Sequence, residues 1–249
     1  MRNILLIIEY DGTNYKGWQK QPDVISVQEK IEQILYKVTK EKIEIFGSGR
    51  TDAKVHALGQ TANFNTNCTI PAEKIATVLN TYLPDDIAIK ESKEVSEDFH
   101  ARYCAKGKTY KYRILNSPTK KPLEHNYSYH VKPELDLELM EYEAKFLIGK
   151  HDFKAFSNTG SSQKTSIRTI DNIKFSRIGD IIEIEFVGSG FLYNMVRIIV
   201  GTLVEIGKKS NRYHIQSALE TRERSFAGPT APPQGLFLKK VSYNLDIKN

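Results

Sequence analysis

The sequence holds only two cysteines, Cys68 and Cys104, and a single tryptophan. Two thiols build no disulfide framework, and these two form no CxxC pair. The six histidines show no HExxH or other close metal spacing, so neither a structural nor a catalytic metal is expected. Such cysteine usage suits a reducing compartment, and the expected location is cytoplasmic. Long apolar runs are missing as well. MRNILLIIEY at 1–10 is short and lacks a small-residue cleavage site, so it reads as a buried first strand rather than a signal segment. The stretch 190–206 is interrupted by Asn194 and Arg197 and is too short and polar to cross a bilayer, so no membrane partner is expected. Nucleotide fingerprints fail too. Gly47-Ser48-Gly49 would need glycine at 52, which is Asp52, and Gly188-Ser189-Gly190 would need it at 193, which is Tyr193. No GxxxxGK[ST] occurs, so NAD and NTP chemistry lose support.

What is present is an ordinary globular balance, 40% hydrophobic and 27% charged over 249 residues, enough for one large domain or two lobes. Thirteen tyrosines can pack, stack on a base and hydrogen-bond. Thirty-six basic against thirty acidic residues give a net charge of +6, a surplus that suits a polyanionic partner.

Periodicity predicts a strand at 3–10, then a helix opened by the capping box Ser26/Glu29 with Ile31, Ile34, Leu35 and Val38 at helical spacing. Strands are expected near 43–46, 56–65, 86–95 and 108–115, with a helix after Pro71. Residues 116–133, with three prolines, read as a connection between lobes. A helix at 134–148 follows, then a strand pair at 167–177 and 181–187 with hairpin spacing around Gly179-Asp180. An apolar helix over 191–206, a shorter one over 211–221, a rigid proline loop at 225–235 and a last strand at 236–244 complete the chain. The hairpin argues for α+β rather than a purely parallel sheet. Two similar α+β lobes are expected, 1–105 and 106–249.

Three motifs carry chemistry. GSGRTDAKVH places Arg50, Asp52, Lys54 and His56 within seven residues on a glycine turn. Such a loop is either a charged surface turn or a carboxylate held at a cleft with cations nearby, which keep it ionised and able to act as a nucleophile. Arg197 sits in a helix apolar nearly all round, where an Arg needs a partner. It is either a snorkelling or structural Arg or the partner of a catalytic acid. In KGKTYKYR, Tyr110 and Tyr112 share one strand face, and Thr109, Lys111 and Arg113 the other. That alternation suits bases and phosphates, or a half-buried strand with solvated lysines.

Taken in order, the motifs resemble the TruA family of tRNA pseudouridine synthases. They are Tyr10-Asp11-Gly12-Thr13, Gly17-Trp18-Gln19, Gly49-Arg50-Thr51-Asp52-Ala53, Val55-His56-Ala57 and Asp98-Phe99-His100-Ala101-Arg102. Tyr110 with Tyr112, Gly190-Phe191-Leu192-Tyr193-Asn194-Met195-Val196-Arg197 and Ala227-Gly228-Pro229-Thr230-Ala231-Pro232-Pro233-Gln234-Gly235-Leu236 follow. The resemblance implies a continuous, mainly antiparallel sheet flanked by helices, with a basic cleft between the lobes, and a homodimer that binds tRNA. It implies Asp52 as the catalytic residue, Arg50 as a residue holding the RNA with its base flipped out, Tyr110 packing on the target base, and Arg197 pairing with Asp52. The implied reaction converts uridine to pseudouridine at positions 38, 39 and 40 of the anticodon stem-loop, with no cofactor. One position departs: where the family commonly has glycine after GRTDA, this chain has Lys54. Either the backbone there is ordinary, or Lys54 marks altered RNA contacts. The alternatives are the same isomerisation on ribosomal or other RNA, and a non-enzymatic RNA-binding module.

Overall fold

The computed structural model describes residues 1–158 and 165–244. Its backbone groups into two units, Met1–Lys106 with Phe237–Asn249, and Gly107–Leu236. The sequence reading kept everything after 105 together. The grouping instead returns the last strand, which pairs with His56 and Ala57, to the first unit.

In the first unit, β1 (Arg2–Tyr10) lies between β3 (His56–Thr66) and β4 (Ile87–Val95), antiparallel to both. Asn3 to Leu6 are buried on both faces, which explains the unbroken apolar run of β1. Two strands share the other edge of β3. β2 (Phe46–Gly47) pairs antiparallel with Asn63 and Ala62, and β10 (Leu236–Tyr243) pairs parallel at His56 and Ala57. The strand expected at 43–46 shrinks to β2 for a reason visible at Ile45. Its N–H donates to the Glu32 carboxylate and its carbonyl accepts from Gln28, so side chains satisfy what a ladder otherwise would. Helix α1 (Val27–Thr39) opens at Ser26, whose Oγ accepts the Glu29 N–H at 3.2 Å, and it buries Val27, Ile31 and Leu35. Helix α2 (Ala72–Asn80) has Pro71 as its cap and packs on β4.

In the second unit, β5 (Ala105–Asn116), β9 (Ile181–Gly188), β8 (Ile167–Ile178) and β7 (Gly149–Asp152) pair antiparallel in that order. The expected hairpin turns at Gly179, whose φ of +58° explains the residue. The segment 116–133 runs inside this unit rather than between lobes. There β6 (Tyr129–Val131) pairs parallel with β5, and the buried Asn116 side chain donates to the carbonyls of Val131 and Pro133 and accepts from the Leu135 N–H. Helix α3 (Leu137–Ala144) is capped by Asp136 and packs on α4 (Met195–Gly207), with α5 (Ile215–Thr221) beyond. As the apolar pattern predicts, α4 is buried nearly all round. It begins four residues later than expected because Asn194 adopts the left-handed conformation, φ 60° and ψ 7°, which asparagine tolerates. The α+β class and the mainly antiparallel pairing agree with the sequence. No helix among the described residues is long and apolar enough to cross a membrane.

Candidate active site

The GSGRTD loop joins β2 to β3 and is tied down residue by residue. The Ser48 N–H donates to Thr61 at 2.8 Å and closes the hairpin. Fully buried Gln60 then stitches the next turn. Its Oε1 accepts from Ser48 Oγ at 2.6 Å, and its Nε2 donates to the Gly49 carbonyl at 2.9 Å. A buried glutamine with both ends engaged is a strong local restraint. Thr51 is buried, with Oγ1 2.7 Å from the Tyr10 hydroxyl. Arg50 is exposed and donates from Nε to Gln19 Oε1 at 3.0 Å, whereas Asp52 is half-buried.

The segment 10–18 backs this loop like a second wall. The Trp18 N–H donates to the Thr51 carbonyl, and the Lys54 N–H to the Tyr15 carbonyl, both at 3.2 Å. The two backbones approach so closely that side chains are excluded. A Cβ on Gly12 would stand 2.1 Å from the Val55 carbonyl oxygen, and one on Gly17 would stand 2.4 Å from that of Thr51. Gly17 also has φ +97°, which only glycine adopts readily. Further out, the Tyr15 hydroxyl donates to Asp86 at 2.5 Å, and burial with this carboxylate pushes its phenol pKa upward. Behind the loop, the His56 ring is buried and stacks on Phe237, centroids 4.7 Å apart.

Lys54 resolves the question its identity raised. Its φ is +64°, and the Val55 N–H donates to the Asp52 carbonyl at 3.1 Å. This is a turn with the left-handed residue where a type II turn takes glycine. The backbone there is therefore not ordinary, and lysine holds it at a conformational cost of about 1–2 kcal/mol. Lys54→Gly is expected to raise stability by up to about 1 kcal/mol, the relief being partly offset by the entropy of glycine in the unfolded chain. Urea denaturation checks this; an unchanged or lowered midpoint would contradict it.

In the second unit, Tyr110 is buried in β5 and meets Phe191 edge to face at 5.2 Å. Half-buried Arg197 projects from the first turns of α4. Its Nε donates to the Ala231 carbonyl and its Nη1 to Asn194 Oδ1, both at 2.8 Å. The Ala231 N–H returns a hydrogen bond to the Arg197 carbonyl at 3.0 Å. The loop that grips Arg197 is itself fixed by Arg224, which donates to the carbonyls of Ala227 and Gly228, and by the Tyr112 hydroxyl, which donates to the Pro232 carbonyl at 2.6 Å. Burial holds the Tyr112 phenol well above its usual range, so it stays a neutral donor.

Asp52 and Arg50 thus share one braced loop in the first unit, and Tyr110 and Arg197 belong to the second. The basic face of the Tyr/Lys strand reads differently in the structure. Lys111 Nζ and Arg113 Nε stand 3.1 and 3.3 Å from Glu183 on β9, so they form an ion-pair ladder across the strands. The neighbouring strand supplies that acid, and nothing local in the sequence announces it. Sequence reasoning assigned no role to Gln60, Gly12 or Gly17. The signal for Gln60 is a polar side chain at a buried position of β3, and for the glycines their paired spacing in DGTNYKG.

A family model described as tRNA pseudouridine synthase matches residues 6–104 and 144–244. The first segment contains Arg50 and Asp52, the second Arg197, and Tyr110 lies between them. The tRNA pseudouridine synthase A 2 of Clostridium tetani is 52% identical over 246 residues, covering 98% of this chain and 99% of its own. The tRNA pseudouridine synthase A of Acetivibrio thermocellus is 53% identical over 244 residues, covering 98% of this chain and all of its own. A crystal structure of a Cbf5-Nop10-Gar1 complex is similar at 13% identity and a TM-score of 0.35, over 80% of this chain and 53% of that one, a likeness too faint to argue from. Relatives that match at half their positions from end to end, together with the family match over both units, make this chain a member of the tRNA pseudouridine synthase family.

Proposed function

We propose that the protein isomerises uridine to pseudouridine in tRNA, at positions 38, 39 and 40 of the anticodon stem-loop, with Asp52 as the catalytic carboxylate. The observation that carries this reading is the end-to-end identity with tRNA pseudouridine synthases. The braced loop supports it locally, because a carboxylate on a rigid turn needs no reorganisation when charge shifts during reaction.

The reaction breaks the N1–C1′ bond, turns the uracil and joins C5 to C1′. A proton leaves C5 and one is gained at N1, so product and substrate have the same atoms and oxidation state. No redox partner or group donor is required by that balance. A base inside a stem is out of reach, so the nucleotide is flipped, at a cost of a few kcal/mol. Arg50, exposed beside Asp52, holds the flipped strand, and Tyr110 with Phe191 offers an aromatic wall for the uracil. Arg197, oriented by Ala231 and Asn194, is the cation that the family resemblance assigns to support the catalytic carboxylate. Asp52 adds to C6, adds to C1′ or assists glycal formation. The protein works in the cytoplasm as a homodimer.

The test is direct. Purified protein is incubated with unmodified tRNA transcript and, separately, with ribosomal RNA, and pseudouridine is mapped. Conversion at 38–40 of the tRNA is expected. Conversion confined to ribosomal RNA would move the substrate, and no product on either would sink the reading.

A further inference from the structure

Three rings that have no role above lie in a row on the surface of the first unit. Phe46 meets His100 with centroids 5.2 Å apart, and His100 meets Tyr103 at 4.3 Å. Tyr103 is 76% exposed, and Arg102 places its guanidinium carbon 5.9 Å from that ring. An exposed row of this kind is unfavourable in water unless something covers it.

The backbone beneath the rings is fixed with unusual thoroughness. Ala101 is fully buried, its N–H donating to Asn63 Oδ1 at 2.8 Å and its carbonyl accepting from the Tyr243 hydroxyl at 2.6 Å. Asn3 Nδ2 donates to the Phe99 carbonyl at 2.9 Å, and the Cys104 N–H to the His100 carbonyl at 2.9 Å. The Arg102 N–H donates to His100 Nδ1 at 3.1 Å, which fixes the ring's orientation. Rigid anchoring of exposed rings is preorganisation, and it lowers the entropy lost when a flat ligand stacks on them.

We propose that Phe46, His100 and Tyr103 form a stacking platform for an unpaired nucleotide of the RNA substrate, with Arg102 on its phosphate. Aromatic rings beside a guanidinium match the two faces of a nucleotide, base and phosphate, and the net charge of +6 favours a polyanion. The site is also continuous with the loop of Asp52. Phe46 opens β2, six positions before Asp52, and six residues reach at most about 20 Å. A nucleotide on the platform and one at Asp52 are thus close enough to belong to one RNA molecule. The inference deepens the tRNA reading and rests on it for the identity of the ligand.

Anisotropy titrations of labelled, unmodified tRNA transcript with Tyr103→Ala, Tyr103→Phe and Arg102→Ala test it, alongside single-turnover conversion at saturating protein. Tyr103→Ala is expected to weaken binding about ten-fold while the saturated rate stays at the parent value; Tyr103→Phe keeps the ring and stays within about two-fold. Arg102→Ala is expected to lower the salt-dependence slope by about one. Tyr103→Ala binding within two-fold of the parent would overturn the platform. So would intact binding combined with a shift in oligomeric state on gel filtration, which would assign the rings to a second copy of the chain. A parent protein that binds tRNA but forms no pseudouridine would remove the assigned activity and leave this binding comparison standing.

Discussion

Asp52→Asn is expected to lower the rate of pseudouridine formation by about 10⁴-fold or more, with tRNA affinity within about three-fold of the parent. The substitution is isosteric and removes charge alone. The loop beneath it hangs on backbone bonds from Ser48, Trp18 and Lys54 and on the buried Gln60 amide, none of which uses the Asp52 carboxylate. Folding and RNA contacts should therefore persist while the anion needed for addition or proton removal is gone. Rapid-quench conversion of saturated complex separates the rate from the affinity. A rate within ten-fold of the parent would remove Asp52 from the mechanism.

Gly12→Ala tests the wall behind that loop. One added methyl would stand 2.1 Å from the Val55 carbonyl oxygen and 2.7 Å from its carbon, both backbone atoms that no side-chain rotation can clear. The turn from Asp52 to Val55 must then move. A shift of about 1 Å at a reacting group costs on the order of 10²-fold in rate. The expected loss of stability is about 1–3 kcal/mol, the range for overpacking a tight contact. Activity measured well below the melting temperature separates the two effects. If the variant melts lower yet turns over within three-fold of the parent, the wall is structural only and does not position Asp52.

Features set by near neighbours in sequence were legible. Ser26 and Glu29 announced the start of α1, Gly179-Asp180 announced the hairpin, and the motif order announced the family. Features set by distant strands were not. Nothing near Lys111 or Arg113 shows that Glu183 will stand opposite them. The strand expected at 43–46 failed because Gln28 and Glu32, on helix α1 earlier in the chain, take the hydrogen bonds of Ile45. Asn194 looked like one polar residue in an apolar helix, but its left-handed backbone makes it the boundary. The glycine signal was legible only as a question at Lys54, and as nothing at Gly12, whose role depends on a carbonyl more than forty positions away.

The parallel pairing of β10 with β3 has a consequence for the birth of the molecule. Phe237 and Leu238 complete an edge of the first unit next to His56 and Ala57, and the Phe237 ring covers the buried His56 ring. A ribosome releases the amino-terminal unit long before it makes those residues. Until then the edge of β3 at His56 is open to any passing strand, a known route to aggregation. The loop that carries Asp52 leads directly into that edge, so its final brace arrives only once Phe237 and Leu238 have been made. Contacts of such long sequence separation also slow folding. A chain that stops short of Phe237 should therefore be both inactive and dependent on chaperones.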